Sequence, residues 1–227
     1  MDKQEFKKII NYNFKNEELL NHALTHTSYA NEKFHGPQSH FSSNQRLEFL
    51  GDSVLSIVVS TYLYNNFTGM PEGELSKLRS AIVCEASLNT FGRRISLNAM
   101  LMLGVGEEHM GGREKPSIIA DAFESLIAAI YLDGGMEAAT EFILSNIKDD
   151  IHRIAENYKS FDYKTNLQEL MGKKNIRPVY EIIGHEGPEH DRYYIARLSC
   201  DGSDTFGKGR SKKEAEQMAA KEMLAHL

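Results

Sequence analysis

Thiols are scarce in this chain. Cys84 and Cys200 are the only cysteines in 227 residues, far apart and in no metal-ligand spacing, so a disulfide framework and a thiolate metal site are excluded and both read as small core residues. No run approaches the roughly 20 apolar residues that a membrane span needs. The opening Met1-Asp2-Lys3-Gln4-Glu5-Phe6 has no apolar signal region, so the expectation is a cytoplasmic chain with no membrane partner. A GxSxG elbow and a Cys-His pair are missing, which leaves covalent catalysis without a nucleophile. Gly104, Gly106, Gly111 and Gly112 match neither GxGxxG nor a Walker loop and read as connection. His22 and His26 stand four apart but have no third ligand or catalytic Glu, so they read as core or surface residues rather than zinc ligands. Positive charge is also short. A net charge of −6 and a pI near 5.9 exclude a protein that coats nucleic acid by bulk charge.

What is present is 41% hydrophobic content, enough for a core in one or two domains, and an uneven charge distribution. From Asp162 onward 11 basic and 11 acidic residues balance, whereas the first 161 hold 15 and 21 and carry the whole excess.

The chain is organised around Asn44 to Val59, which reads as one buried helix. Leu47, Leu50, Val54, Leu55 and Val58 recur at spacings of three and four, and Phe49, Ile57 and Val59 fill the other sides. Glu48 and Asp52 lie in this apolar run four apart, hence one turn above the other on one face. Buried carboxylates cost several kcal/mol unless paired or bound to metal. Gly51 between them allows something to approach the backbone closely. Taken alone, the two acids could equally form a solvated stripe or pair with Arg46. A second apolar helix, Ile118 to Tyr131, repeats the design with Asp121 and Glu124 three apart. Facing each other, the two helices would gather four carboxylates, a site for hard divalent cations such as Mg²⁺, with Mn²⁺ as a substitute, and not for zinc.

Around these helices the pattern predicts further helices over 3–11, 16–25, from about Glu74 after the Pro71 turn, 86–95, 98–103 and 136–154, with a polar loop over 31–43. Glu72 is a possible fifth acid, or simply complements a helix N-terminus. The fold class is thus an all-α domain over 1–154, a short polar linker over 155–161, and a domain over 162–227 with a different grammar. There, a capping box at Thr165 to Gln168 opens a helix, three strands follow, and a second capping box at Ser211 to Glu214 opens the last helix, giving an α+β unit of order αβββα. Lys208, Arg210, Lys212 and Lys213 cluster at that last helix's N-terminus, where the macrodipole disfavours cations, which points to a phosphate partner. With Gln168 on the other helix and His190 in a loop they make three contact elements, as shape recognition of double-stranded RNA requires.

Asn44 to Leu55 resembles the signature of the ribonuclease III family, and Asp121 to Glu124 its second acidic motif. Residues 162 to 227 resemble a double-stranded RNA-binding domain, marked by Gly187-Pro188-Glu189-His190 and by Gly207 to Ala220. The resemblance implies a double-strand-specific, Mg²⁺-dependent endoribonuclease that leaves 5′-phosphates and 3′-hydroxyls in ribosomal, messenger or small RNA processing. It implies a homodimer formed through the helical domain, with Phe49 plugging into the partner. By motif, Glu48, Asp52, Asp121 and Glu124 would hold metal, with Asp52 and Glu124 catalytic and Glu72 an outer acid near the scissile phosphate. Gln168, His190, Lys212 and Lys213 would touch RNA. Gln45 departs from the Glu usual before Arg46 and removes a charge at the rim of the acidic valley in which the family lays its duplex between subunits; Thr27 stands where Arg is frequent. A non-catalytic duplex binder would lack one of the acids, and a helical diphosphate enzyme would carry a DDxxD run, absent here.

Overall fold

The computed structural model describes residues 2–34, 42–161 (the backbone alone over 157–161), 163–188 and 192–227. The chain divides into two compact units, Met1–Ile154 and Ala155–Leu227.

The first unit is built of helices α1 (Lys3–Ile9), α2 (Glu17–Ala23), α3 (Thr27–Lys33), α4 (Gln45–Asn66), α5 (Glu72–Ile82), α6 (Glu85–Arg94), α7 (Val105–His109) and α8 (Pro116–Phe161). Two of them end or begin inside segments read from the pattern as loop. Asn31 to Lys33 close α3, and Val105 to His109 form α7 within the glycine-rich connection. Over 98–103 the expected helix shrinks to one 3₁₀ turn, Leu97–Met100, because Met102 instead bridges to Thr25.

The first half of α8 is the central rod. Ile119, Ala122, Phe123 and every residue from Leu126 to Ile130 are fully buried, as expected of a helix apolar on all sides. Leu55, Val59 and Leu63 of α4 are buried as well. α4 itself is not buried all round, contrary to the expectation from its sequence. Phe49, Ile57 and Tyr64 are 79%, 53% and 75% exposed and form an outward apolar stripe, since only one side of the helix meets the core. α4 is long and apolar enough to cross a membrane by length and composition, but its acids Glu48 and Asp52 and its packing within the unit mark it as a helix of the core.

Gly135 breaks α8, with φ 80° and ψ −176°, a conformation open essentially to glycine alone. Just before it, Asp133 accepts from the Lys15 and Asn16 backbone N–H groups at 2.9 and 2.8 Å and from Tyr12 Oη at 2.8 Å. Partial burial pushes the Asp133 carboxyl up, but these donors outweigh it and hold the group below its ordinary range. Burial and Asp133 together push Tyr12 up to about 12. Because the folded-state value of Asp133 is depressed, its contribution is present above the ordinary carboxylate range and is lost as pH falls through the folded value. Asp133→Asn should lower unfolding free energy by about 1–3 kcal/mol at neutral pH, with the deficit vanishing in acid, as urea titrations at both pH values would read.

Residues 155–161, read from the sequence as a linker without periodicity, are helical in backbone. The second unit adds α9 (Tyr163–Gly172), strands β1 (Val179–Glu186), β2 (Tyr193–Cys200) and β3 (Ser203–Gly209), and α10 (Lys212–Ala225). The sheet is antiparallel in the order β1-β2-β3. Ala196, Leu198 and Cys200 point inward, as the alternation predicts, and Leu198 and Cys200 share a core with Leu167, Met171, Ala219, Ala220 and Met223. A Cβ at Gly207 would lie 2.7 Å from the Met218 carbonyl carbon, so β3 and α10 meet there backbone to backbone. Ser211 caps α10, accepting from Glu214 N at 3.1 Å. Thr165, expected to cap α9, lies inside it instead. α9 is described from Tyr163, and Gln217 of α10 accepts from the Lys164 N–H at 3.0 Å.

Candidate active site

α4 and α8 cross at Gly51. A Cβ there would stand 2.5 Å from the Glu124 carbonyl carbon and closer still to its oxygen, so only glycine admits the neighbouring backbone. Ser125 makes a second clamp. Its fully buried hydroxyl lies 3.1 Å from the Asn44 carbonyl oxygen and 2.8 Å from that of Asp121. The same Asn44 oxygen accepts from Glu48 N at 2.9 Å, so Ser125 steadies the turn that carries Glu48. Neither Asn44 nor Ser125 was marked by its spacing.

Between these clamps Glu48, Asp121 and Glu124, all half-buried, offer carboxylate oxygens within 4.8 Å of one another. Asp52 is more exposed, next to Gly51, and close enough for its charge to act on Glu124. Burial pushes Glu124 up to about 8, with Asp52, Glu48 and Asp121 adding to it. Burial and then Asp121 raise Glu48; burial and then Glu85 raise Asp121. The charges that raise these three are those of neighbouring carboxylates, an arrangement that a hard cation relieves. Glu85, the first residue of α6, is a fifth acid of this surface that the pattern did not single out. It arrives because α6 packs on α8 with Gly92 against Ile119.

The donor set fits a hard divalent ion: carboxylate oxygens, partly desolvated, with like charges crowded together. In the metal-free chain Glu124 keeps its proton at neutral pH, and an incoming cation must displace it. Mn²⁺ affinity followed by calorimetry should therefore weaken about tenfold per pH unit below pH about 8, with about one proton released per site. Metal binding without proton release would place the acids farther apart than this.

Glu72 does not join the four within one chain. It opens α5, accepts from Ser76 Oγ at 2.7 Å, and borders a hollow with Ser60, Tyr64 and Arg79. Ser60 lies on the order of 18 Å along α4 from Glu48. Phe49 faces solvent. Gln168 is exposed on α9, and Lys212 and Lys213 are exposed in the first turn of α10. His190 lies outside the described residues. His22 and His26 have structural partners: His22 Nε2 lies 2.8 Å from the Ser43 carbonyl oxygen, and His26 caps α3.

The Ribonuclease-III-like family matches residues 16–151, and the Double-stranded RNA binding motif matches residues 163–227. Ribonuclease 3 of Caldanaerobacter subterraneus subsp. tengcongensis is 46% identical over 220 residues, covering 96% of this chain and 95% of that protein. Ribonuclease 3 of Clostridium perfringens is 45% identical over 225 residues, covering 98% and 93%. Among solved structures, the nuclease domain of ribonuclease III from Campylobacter jejuni superposes with a TM-score of 0.59 at 40% identity over 66% of this chain and 95% of that one. A second structure of that domain, described for flexibility in a region involved in dimer formation, gives 0.58 at 40% identity over 65% and 99%. The chain belongs to the ribonuclease III family, with a nuclease unit followed by a double-stranded RNA-binding unit, and its activity is that of a double-strand-specific endoribonuclease.

Proposed function

We propose that Glu48, Asp52, Asp121 and Glu124 form the hydrolytic centre of this ribonuclease and hold Mg²⁺ there. The observation that carries this is the convergence of three half-buried carboxylates from two helices, with Asp52 at the rim and Glu124 driven up to about 8. A divalent ion held by these carboxylates would supply activation of water and stabilisation of the leaving oxygen of a phosphodiester. The chain's own part is positional. Gly51 and Ser125 lock the helices, Glu48, Asp121 and Glu124 set the donor geometry, and Asp52, the most exposed of the four, orients the attacking water toward the RNA. Products would carry 5′-phosphate and 3′-hydroxyl ends. Ribosomal, messenger and small-RNA duplexes in the cytoplasm are the substrates this chemistry suits.

Engagement of the duplex falls to the second unit through Gln168, His190, Lys212 and Lys213. The acidic first unit repels RNA until cations fill it, so tethering to a binding unit supplies the local concentration, of order mM, that the first unit lacks. A second copy of the chain would cover the stripe of Phe49, Ile57 and Tyr64, with Phe49 of each subunit entering a hollow on the other. A hollow of about 340 Å³ lined by Ile57, Met136 and Leu144 is of suitable size and character. Phe49→Glu should raise the dimer dissociation constant by about three orders of magnitude, since each buried ring contributes about 2 kcal/mol and symmetry doubles the loss; light scattering across a dilution series reads it.

The test of the function is direct. A perfect RNA duplex incubated with the purified chain and Mg²⁺ should be cut to short duplexes with 5′-phosphates, with no cutting in chelator. Cutting that survives chelation, or equal cutting of single strands, would refute the assignment.

A further inference from the structure

Lys208, Arg210, Lys212 and Lys213 crowd the mouth of α10, where the helix's own N–H groups already present positive charge. Long cationic side chains placed so would spread apart over many rotamers, and a phosphate would then have to order them on arrival. Two of the four are ordered in advance by one aromatic ring. Tyr193 opens β2 on the solvent side of the sheet. Lys208 Nζ lies 5.1 Å and Arg210 Cζ 5.7 Å from its ring centroid, both within cation–π range. Arg210 Nε donates to Tyr193 Oη at 3.3 Å. Lys208 is opposite Ile195 in the β2–β3 register, so its side chain shares the outward face with Tyr193 one diagonal away. Glu186, paired in register with Tyr193, closes the arrangement with a 2.6 Å ion pair to Lys208. Arg210 is held from its backbone too, its N–H donating to Glu214 Oε2 at 2.7 Å.

We infer that Tyr193 is a positioning residue for duplex binding: its ring and hydroxyl hold Lys208 and Arg210 beside the α10 N-terminus, so that the cations facing the RNA backbone are in place before RNA arrives. The role rests on the reading above, that this end of α10 engages the duplex. Tyr193 itself acts through Arg210 and Lys208. Its benefit is the ordering cost of two rotamer-rich side chains, removed from the binding step.

The full-length chain, with metal chelated to prevent cutting, is titrated with a perfect RNA duplex, and thermal melting is followed in parallel. Tyr193→Ala should weaken binding about three- to tenfold, as expected for disordering two such side chains. Tyr193→Phe keeps both ring contacts and loses only the bond to Arg210, so it should show a smaller loss with the melting transition unchanged. In an Arg210→Gln background the Phe substitution should then cost nothing further, because the hydroxyl works through that guanidinium. Equal losses in both backgrounds, or tighter binding by Tyr193→Ala, would overturn the inference, the latter by showing that the ring withholds the cations. Lys212→Gln with Lys213→Gln separates the underlying reading. If that pair leaves duplex affinity unchanged, α10 does not engage the backbone; if it weakens binding while Tyr193→Ala and Tyr193→Phe do not, only the role of Tyr193 fails.

Discussion

Replacing Glu124 by glutamine is expected to slow cleavage of a perfect RNA duplex by on the order of 10³-fold or more, while duplex binding stays as in the parent. Glutamine keeps the shape of the side chain but offers no charge, so the donor set of three mutually close carboxylates is reduced to two. A second consequence has the opposite sign. The folded-state value of Glu124, about 8, lies above the ordinary glutamate range. Between that range and pH about 8 the folded chain binds more protons at this position than the unfolded one, so metal-free stability falls as pH rises across the window. Glutamine removes the titration, and the variant should therefore melt higher than the parent at pH about 8 without metal, and gain less from Mn²⁺. Cleavage rates, duplex affinity and melting with and without Mn²⁺ decide it together. Unchanged cutting, or binding lost along with cutting, would remove Glu124 from the role assigned.

Gly51→Ala should destabilise the chain by about 3 kcal/mol and weaken Mn²⁺ binding in step. In an open helical position the same change gains about 1 kcal/mol, so the sign alone is diagnostic. The added methyl would meet the Glu124 backbone, which cannot rotate aside as a side chain could, and α4 and α8 must part to admit it. Separation moves Glu48 and Asp52 away from Asp121 and Glu124. Gly73→Ala, where nothing stands within 4 Å of the new atom, serves as the control. Urea melts of both variants and metal titrations of Gly51→Ala would show it; a more stable Gly51→Ala would mean the helices do not touch there.

The four carboxylates and Gly51 are legible in the sequence because helical spacing is local: positions four and three apart share a face whatever surrounds them. The same holds for the inward side of β2 and for the Ser211 cap. The misses are of another kind. Ile57 is as apolar as the core residues beside it, and its place outside is set by what the rest of the unit packs against α4, not by its own spacing. Glu85 reaches Asp121 through the packing of a different helix, and Ser125 meets Asn44 across 81 positions of chain. Each depends on tertiary placement that no window of sequence contains.

The three-sided character of α4 has a consequence for how this chain can change over time. One flank of the helix carries the acids and the glycine that admits α8, another packs the interior, and the remaining flank is an oily strip. A substitution that spares one duty therefore falls on another, and drift in this helix is confined to few positions. Variation among relatives should accumulate elsewhere, leaving this segment as the slowest-moving record of common descent.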